Sequence, residues 1–385
     1  MYEERPTTGL DGSFCVQSVM PPREAAGPLV PPLSLTTAHH QDLDDIAPTR
    51  YGRWEHDSAA GLEEVLGPLD SGMAVVFNSG MSAISAVMMT LLRPGDTLVV
   101  GADNYYETRQ IADQLSDRGV LVRCLTDVSR QLPEAVANAR LVLLESPTNP
   151  LVCIHDLREC ARLSHQAGAL FAVDNSLSSP LGQRPLDLGA DMVLTSDAKV
   201  VGGHNDIILG HVTTRDPELA KQLRYWRHLH GSIPSTFDCW LARRSIGTLE
   251  LRHERQTANA AALTELLHRR REVTSLRWPG WKLDPDHEVA SRQMVRGGGV
   301  LAFRLPGREH LHRFLKASSL IVPATSYGGL QTMANDIATW PHITVPPGLV
   351  RISCGCEPTH ELVDDVRQAL DAALPTGRLA EWPAD

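Results

Sequence analysis

The chain has 385 residues, of which 42% are hydrophobic and 21% charged, and its net charge is −10. This length is enough for two domains with cores of their own, and the acidic balance argues against a nucleic-acid surface. The sequence has no apolar run near the roughly 18–20 residues of a membrane span and no secretory signal at its polar N-terminus. We therefore expect a cytoplasmic protein without membrane or nucleic-acid partners.

The seven cysteines are scattered along the chain and odd in number. Reduced thiols are the expected state for such a pattern in a cytoplasmic protein. Cys354 and Cys356 form a C-x-C pair, but no second pair follows at zinc spacing, so we predict no metal site.

The first 50 residues are rich in Pro and Gly and lack sustained periodicity, which predicts an extended N-terminal arm. From about Ala59 onward, apolar strands alternate with amphipathic helices. This alternation predicts an α/β domain over residues 51–245, with a largely parallel sheet covered on both faces. The predicted strands are Met73–Phe77, Thr97–Gly101, Leu121–Leu125, Leu141–Glu145, Ala169–Asp174, Asp191–Thr195 and Ile207–Thr213. Intervening helices are predicted at Ala60–Leu69, from Gly80, at Glu107–Ser116 and at Leu157–Ala167.

The remainder, residues 246–385, is predicted to form a smaller α+β domain. Its first element overlaps the boundary, because Trp240–Arg271 has the pattern of one long helix. Strands are predicted near Gly299–Leu305 and Val350–Ser353. A last helix is predicted from about His360 to Ala373, with Thr359 as its N-cap.

Two polar residues follow neighbouring predicted strands of the larger domain. Asp174 ends one strand, and Lys199 lies in the Gly-rich turn after the next. The carboxyl ends of parallel strands meet in one crevice, so the two side chains are expected to converge there. A desolvated lysine has a lowered pKa and forms a Schiff base readily. Pyridoxal 5'-phosphate (PLP) needs an amine for its aldehyde and an anion for its pyridinium nitrogen, so the pair suits this cofactor.

Phosphate binding is predicted at the turn that joins Met73–Phe77 to the next helix. Small residues allow close approach of the backbone, and a helix N-terminus supplies free N–H groups; a plain strand–helix turn is the alternative. The residues concerned are Ser79, Gly80 and Met81, with the Ser196 hydroxyl near Lys199. Tyr51 and Arg53 form a second phosphate-binding pair by type. They precede the sheet, so a neighbouring subunit could receive them.

Three further residues are candidates for the ring and the substrate. Tyr105 follows the strand Thr97–Gly101 and could stack on the PLP ring, or be an ordinary buried tyrosine. Arg351 lies in an otherwise apolar strand, where its charge needs a partner: a structural salt bridge or an amino-acid carboxylate. The turn Ser326-Tyr327-Gly328-Gly329 lies in the same small domain and could line the same cleft.

Together these segments resemble the cysteine/methionine-metabolism family of PLP enzymes, over roughly residues 45–375. The family includes cystathionine β-lyases, cystathionine γ-lyases, cystathionine γ-synthases and methionine γ-lyases. The matching segments are Tyr51-Gly52-Arg53, Ser79-Gly80-Met81, Asp103-x-Tyr105, Glu145-Ser146-Pro147-Thr148-Asn149-Pro150, Val173-Asp174-Asn175, Ser196-x-x-Lys199 with Gly203-His204-x-Asp206, Ser326-x-Gly328-Gly329 and Val350-Arg351-Ile352-Ser353-x-Gly355.

The resemblance implies a type I PLP-dependent transferase fold and a homotetramer built as a dimer of dimers. It implies that Lys199 is the Schiff-base lysine and proton shuttle, that Asp174 lies under the pyridine nitrogen and that Tyr105 stacks on the ring. It also implies that Tyr51 and Arg53 bind the phosphate of the neighbouring subunit. The substrate carboxylate would be held by Asn149, Ser326 and Arg351.

Several positions depart from the family pattern. Ala198 stands where the family has a hydroxyl, which removes one phosphate contact, and Val200 follows the lysine where Tyr is frequent. Thr325 stands where the cystathionine γ-enzymes tend to have Glu. The family pattern is also not kept at three further places, which are His56-Asp57-Ser58, Glu107 and Gln331. The catalytic centre is kept and the substrate-facing rim, with Thr325 in it, is altered.

These observations predict an enzyme that eliminates or replaces the γ substituent of a sulfur-substituted amino acid. Lys199 would remove the Cα proton and then move protons at Cβ. The altered rim suggests an unusual substrate, with S-adenosylmethionine as one candidate. The alternatives are β-elimination from a cystathionine-like substrate and, from a different class, a non-catalytic scaffold with a PLP fold.

Overall fold

The computed structural model describes residues 11–21, 26–40, 51–340, 343 and 345–374. In this part of the chain the strands are β1 Met73–Phe77, β2 Thr97–Gly101, β3 Leu121–Leu125, β4 Ala139–Glu145, β5 Leu170–Asp174, β6 Met192–Thr195, β7 Gly210–Thr214, β8 Thr274–Arg277, β9 Val300–Arg304, β10 Val322–Pro323, β11 Met333–Asp336 and β12 Leu349–Ser353. The α-helices are α1 Asp11–Ser18, α2 Asp57–Leu69, α3 Gly80–Leu91, α4 Tyr106–Ser116, α5 Val128–Ala135, α6 Leu157–Gln166, α7 Ser179–Gly182, α8 Pro217–His230, α9 Thr236–Ile246, α10 Leu249–His268, α11 His287–Gln293, α12 Arg308–Ala317 and α13 Thr359–Ala373.

A seven-stranded sheet forms the larger unit, in the order β1-β7-β6-β5-β4-β2-β3. Its strands run parallel except β7, which is antiparallel to both β1 and β6. Apart from the edge strand β3, the strands are buried nearly along their whole length because helices cover both faces of the sheet. The predicted α/β architecture is therefore confirmed, and the carboxyl ends of β4, β5 and β6 meet at one edge.

A five-stranded sheet forms the second unit, in the order β10-β11-β12-β9-β8. It is mostly antiparallel, and α10, α12 and α13 pack on it around Phe303 and Phe314. This is the predicted smaller α+β unit. The division at residue 246 stays a prediction.

The long helix predicted at Trp240–Arg271 is wrong, because two helices occupy this stretch. Gly247 and Thr248 separate α9 from α10. The Thr248 hydroxyl donates to the Ser245 carbonyl at 3.1 Å, so it takes a backbone acceptor at the end of α9. The apolar periodicity continues across the break, and the sequence pattern therefore conceals it.

The last helix begins at Thr359, so the prediction that Thr359 is its N-cap is also wrong. Pro358 occupies the N-cap position. The Thr359 hydroxyl donates instead to Asn259 Oδ1 at 2.6 Å, which joins α13 to α10.

Part of the predicted N-terminal arm is helical. The side chain of Cys15, in α1, is fully buried in the core of its own chain. Arg243 of α9 donates to the Ser18 and Met20 carbonyls at 3.3 and 3.0 Å. An eight-residue helix with one narrow apolar face has too little periodicity for recognition from sequence. Residues 26–40 contain no helix and only an isolated β-bridge between Ala38 and Tyr51, and residues 1–10, 22–25 and 41–50 lie outside the described residues.

Within the described part of the chain, no helix is long and apolar enough to cross a bilayer. The same residues contain no group of three side chains that could hold a metal ion.

Candidate active site

A cavity of about 540 Å³ opens at the carboxyl ends of β4, β5 and β6, between the two sheets. We call it the main cavity. Both units contribute to its walls, so it exists only when they are packed together. Its polar and aromatic lining consists of Ser79, Tyr105, Tyr106, Glu145, Asn149, Asp174, Ser176, Thr195, Ser196, Lys199, Thr325, Ser326, Tyr327, Trp340 and Arg351.

Lys199 lies in the turn that follows β6. The turn is fixed by its backbone, since Lys199 N donates to the Ser196 carbonyl at 3.1 Å and Gly203 N donates to the Lys199 carbonyl at 2.8 Å. Lys199 Nζ donates to Ser326 Oγ at 3.1 Å. Burial and the nearby Arg351 charge lower the pKa of Lys199, and Asp174 opposes them. A lowered pKa increases the fraction of neutral amine at physiological pH.

Asp174 ends β5, next to β6. One of its carboxylate oxygens, Oδ1, accepts the Ser176 backbone N–H at 3.0 Å. Burial raises the pKa of Asp174, and Ser176 and Lys199 oppose this rise. Ser176 also accepts Ser196 N–H at 2.7 Å through its hydroxyl, which ties the ends of β5 and β6 together.

The N-terminus of α3 forms another wall of the main cavity. Ser79 is the N-cap, and its hydroxyl accepts Ser82 N–H at 3.0 Å. Gly80 has no space for a side chain, because a Cβ there would lie 2.7 Å from Ser196 Cβ. Met81 lines the cavity beside it. The helix terminus and the Lys199 turn are thus in direct contact, and the free N–H groups of α3 suit an anion.

Tyr105 precedes α4 and lines the main cavity. Its backbone N–H donates to Glu145 Oε2 at 2.5 Å. Burial and the Asp174 charge raise the pKa of Glu145 well above its usual range. Burial and Glu107 raise the pKa of Tyr105, so its phenol stays protonated at physiological pH. Tyr105 therefore contributes an uncharged aromatic ring and a hydroxyl donor to the main cavity.

Arg351 is almost completely buried in β12. Its guanidinium donates to Asn149 Oδ1 at 2.5 Å and to the Ser326 carbonyl at 2.6 Å. It lies 5.3 Å from the Tyr327 ring centroid and 5.2 Å from that of Trp340. Among the described residues it forms no ion pair with a carboxylate, and its Nε atom has no hydrogen-bond partner. The structural salt bridge is therefore not observed, and a charged donor remains available for an anionic ligand.

Comparison with known proteins places this site in a family. The family model "Cys/Met metabolism PLP-dependent enzyme" matches residues 13–371. The chain belongs to this family. It is 40% identical to a Streptomyces coelicolor protein that carries a provisional cystathionine gamma-lyase name, over 94% of this chain and 93% of that protein. It is 34% identical to the cystathionine gamma-synthase of Escherichia coli, over 95% and 99% of the two chains.

Solved structures agree with this membership. The cystathionine gamma synthase of Xanthomonas oryzae, in complex with aminoacrylate and cysteine, has a TM-score of 0.90 and 34% identity. The match covers 94% of this chain and 98% of that one. The predicted type I PLP fold and the prediction of a PLP-dependent enzyme acting on carbon–sulfur bonds are both confirmed.

The described residues of this PLP-dependent enzyme fit the cofactor. The main cavity contains a part-buried amine at Lys199, a buried carboxylate at Asp174 and an aromatic ring at Tyr105. The α3 N-terminus, with Gly80 held against Ser196, is a cradle that a Cβ would fill. An amine, an anion, a stacking ring and an anion-binding helix end are the four groups that PLP requires.

Two predicted phosphate ligands do not line the main cavity of their own chain. Tyr51 and Arg53 are exposed. The Arg53 guanidinium donates to the His228 carbonyl at 2.9 Å and lies 5.7 Å from the Tyr51 ring. Their predicted role toward a neighbouring subunit stays a prediction.

Sequence reasoning missed several residues of the cavity. Ser176 could have been found, because a serine two residues after a strand-end Asp suits an Asx turn. Trp340 follows a short 3₁₀ helix at Ile337–Thr339 and carries no local signal. Tyr106 and Ile208 also line the cavity, and only the packing of loops from different elements brings them there.

A buried polar cluster underlies the Lys199 turn and was also missed. His211 of β7 lies between two carboxylates, with Nδ1 2.9 Å from Asp197 and Nε2 2.7 Å from Asp70. The Thr213 hydroxyl donates to Asp70 at 2.9 Å. The histidine and both aspartates are fully buried. Burial lowers the pKa of His211, but the two carboxylates outweigh it and raise the pKa to about 10. An imidazolium therefore anchors Asp197, two residues before Lys199.

Proposed function

We propose that this enzyme cleaves or replaces the γ substituent of a sulfur-substituted amino acid, with Lys199 as the proton-transfer residue. The observation that carries the proposal is the hydrogen bond from Lys199 Nζ to Ser326 Oγ, in the cavity that also contains Asp174 and Arg351. Named relatives that act as cystathionine gamma-lyase and gamma-synthase support γ chemistry.

PLP, when bound, supplies an electron sink for the bond that breaks at the substrate Cα. Lys199 carries out the proton transfers. Its lowered pKa favours the neutral amine that accepts the Cα proton, and the four-carbon side chain gives Nζ reach toward Cβ. Ser326 Oγ, at 3.1 Å, orients the amine between the two carbons.

The substrate carboxylate is assigned to Arg351. The Asn149 amide and the Ser326 backbone already orient the guanidinium, and Thr325 lines the cavity beside them. A guanidinium forms two parallel hydrogen bonds with a carboxylate, so this residue fixes the amino acid relative to Lys199.

We assign the binding of the cofactor to residues at the carboxyl edge of the large sheet and at the N-terminus of α3. Asp174 would hold the pyridinium proton, and Tyr105 would stack on the ring. Ser79, Gly80, Met81 and Ser196 would hold the phosphate. We also propose that Tyr51 and Arg53 complete the phosphate site of a neighbouring subunit, in a cytoplasmic homotetramer built as a dimer of dimers. Their exposure in the single chain is consistent with such a role.

A second candidate function is β-elimination. It is favoured by the cystathionine beta-lyase of Lactococcus lactis, which is 31% identical over 90% of this chain. The two reactions differ in their carbon product: β-elimination from cystathionine gives pyruvate, whereas γ-elimination gives 2-oxobutanoate.

The test is to incubate the purified enzyme with cystathionine, methionine, homoserine esters and S-adenosylmethionine. We expect 2-oxobutanoate, or a γ-replacement adduct when a thiol is added. Lys199→Ala should lower kcat by about 10²–10⁴-fold, and should abolish the lysine-dependent visible absorption of the PLP-loaded enzyme. Lys221→Ala, in an exposed lysine of α8, is the matched control. Pyruvate as the main product would favour the second candidate, and full activity of Lys199→Ala would contradict both.

A further inference from the structure

A second cavity of about 450 Å³ opens off the main cavity, and we call it the side cavity. The two share Ala198, Lys199, Ile208, Thr325 and Ser326. Lys199 and its Ser326 partner therefore stand at the junction, which a group attached to the substrate would pass on its way into the side cavity. The remaining wall of the side cavity consists of Asn205, Ile207, Val322, Ala324, Gln331 and Met333.

The lining of the side cavity is mainly apolar. Ile207 and Met333 are buried in its wall. The rim is exposed and consists of Ile208, Val322, Asn205, Thr325 and Gln331. Lys199 is the one charged side chain among the described residues that line it. The described residues of this chain therefore offer this cavity no opposite pair of charges for an ammonium and a carboxylate.

The polar groups of this wall are also held in place. Asn205 Nδ2 donates to Gln331 Oε1 at 3.2 Å. A Cβ at Gly329 would lie 2.4 Å from Asn205 Nδ2, so the asparagine is packed closely against that turn. These amides bond each other and present no ionic partner to a ligand.

The position of the side cavity fits the substituent of a bound amino acid. Arg351, the proposed carboxylate ligand, lines the main cavity but not the side cavity. An amino acid with its carboxylate at Arg351 and its Cα at Lys199 therefore has its side chain free to extend past Thr325. The γ substituent of such a substrate would enter the apolar space.

We propose that the side cavity receives the group on the substrate sulfur and selects uncharged, apolar groups over zwitterionic ones. This inference rests on the proposed function and specifies its substrate class: thioethers of homocysteine with an apolar S-substituent. Burial of an ammonium or a carboxylate without a partner is costly, whereas each buried methylene is favourable.

The reaction used for the test is a balanced elimination. An S-alkyl-homocysteine and one water give the alkyl thiol, 2-oxobutanoate and ammonia. The Cγ–S bond breaks, and sulfur leaves as the thiol with one proton. No oxidant or reductant is required.

The experiment compares kcat/KM for methionine, S-butyl-homocysteine, S-benzyl-homocysteine and cystathionine, which share one amino-acid half. We expect a gain of about two- to fourfold per added methylene and at least a tenfold preference for S-butyl-homocysteine over cystathionine. Binding is measured independently by calorimetry of the same compounds with the PLP-loaded Lys199→Ala variant. The affinities should follow the same order without turnover.

Two variants test the cavity itself. Thr325→Glu places a carboxylate at the junction of the two cavities. It should lower kcat/KM about tenfold for S-butyl-homocysteine and raise kcat/KM for cystathionine, so that the preference between the two substrates is reversed. Met333→Trp introduces a larger side chain into the wall of the side cavity. It should reduce kcat/KM most for S-benzyl-homocysteine and least for methionine. The matched control Leu251→Glu, at an exposed apolar residue of α10 outside both cavities, should leave the ratios unchanged.

Some outcomes would overturn the inference while the proposed function stands. The first is a cystathionine kcat/KM equal to or above that of S-butyl-homocysteine. The second is a loss specific to cystathionine in Arg109→Ala, because Arg109 lines a different cavity of about 240 Å³ beside Tyr106 and Asn149. Such a loss of cystathionine turnover would indicate that the substituent binds in the cavity lined by Arg109. Absence of turnover with every compound would instead contradict the proposed function.

Discussion

The buried imidazolium of His211 gives a prediction that depends on pH. His211→Asn keeps a polar side chain of smaller size, but it removes the cation that lies between Asp70 and Asp197. Two fully buried carboxylates then face each other across the cluster without a charge between them. The first consequence is a loss of stability, because a buried charge has been left without its partner.

The magnitude of this loss follows from the complete burial of the histidine and both aspartates. Breaking a buried ion pair by removing one partner costs on the order of 3–5 kcal/mol. For a chain of 385 residues, the usual entropy of unfolding per residue converts 4 kcal/mol into a fall in Tm of about 5 °C.

The sign of the pH dependence is fixed by the direction of the His211 pKa. The pKa rises from its ordinary value of 6.5 to about 10 in the folded protein. The stabilisation is therefore complete below about pH 6.5 and is lost as the pH rises through 10. The gap in Tm between the native enzyme and His211→Asn should be largest at pH 6 and shrink steadily toward pH 10.

Differential scanning calorimetry of both proteins with saturating PLP, at pH 6, 8 and 10, measures this gap. His165→Asn is the matched control, because His165 also bonds an aspartate, Asp191, at 3.0 Å, but its side chain is 46% exposed. The control should change Tm by about 1 °C or less, since exposed ion pairs contribute little. A gap that is equal at pH 6 and pH 10, or no larger than that of the control, would refute the reasoning.

Three further predictions concern the main cavity. Gly80→Ala should weaken PLP binding at least tenfold in a spectroscopic titration, because the new Cβ would lie 2.7 Å from Ser196 Cβ; an unchanged affinity would mean that α3 shifts freely. Asp174→Asn should lower both PLP affinity and kcat at least tenfold, since a charge-assisted hydrogen bond is lost, and a change in KM alone would argue against its assignment to the ring nitrogen. Arg351→Lys should raise KM about 10–100-fold with a smaller change in kcat, because hydrogen bonds to a charged group contribute roughly 1.5–3 kcal/mol; a loss confined to kcat would contradict the carboxylate role.

The fold could be predicted well where local pattern and tertiary environment agree. The apolar strands β1, β2 and β3 have the bounds that the sequence indicates, and the other strands of the large sheet except β7 begin within two residues of theirs. The last strand of that sheet, β7, begins at Gly210 and not at Ile207, although Ile207 and Ile208 are apolar. Those two residues line the side cavity, so their hydrophobicity serves a site and not a strand.

The site could be predicted in part for a similar reason. Lys199, Asp174 and Arg351 carry signals in the sequence, since Asp174 ends an apolar strand, Arg351 lies inside one and Lys199 lies in the Gly-rich turn after one. Trp340 and His211 carry none, because their environment is created by elements that are distant along the chain. The cluster that includes Asp70 joins the C-terminal end of α2 to β7, a separation of 141 residues.

The hydrogen bonds of Arg351 have a consequence for affinity. In the structure its guanidinium joins the two units, donating to Asn149 on one side and to the Ser326 carbonyl on the other. A guanidinium has five N–H donors, and these two hydrogen bonds use two of them, so a substrate carboxylate can bind the remaining donors without displacing either acceptor. Substrate binding would thus leave the contact between the two units intact, and the new hydrogen bonds to Arg351 would contribute in full to the affinity.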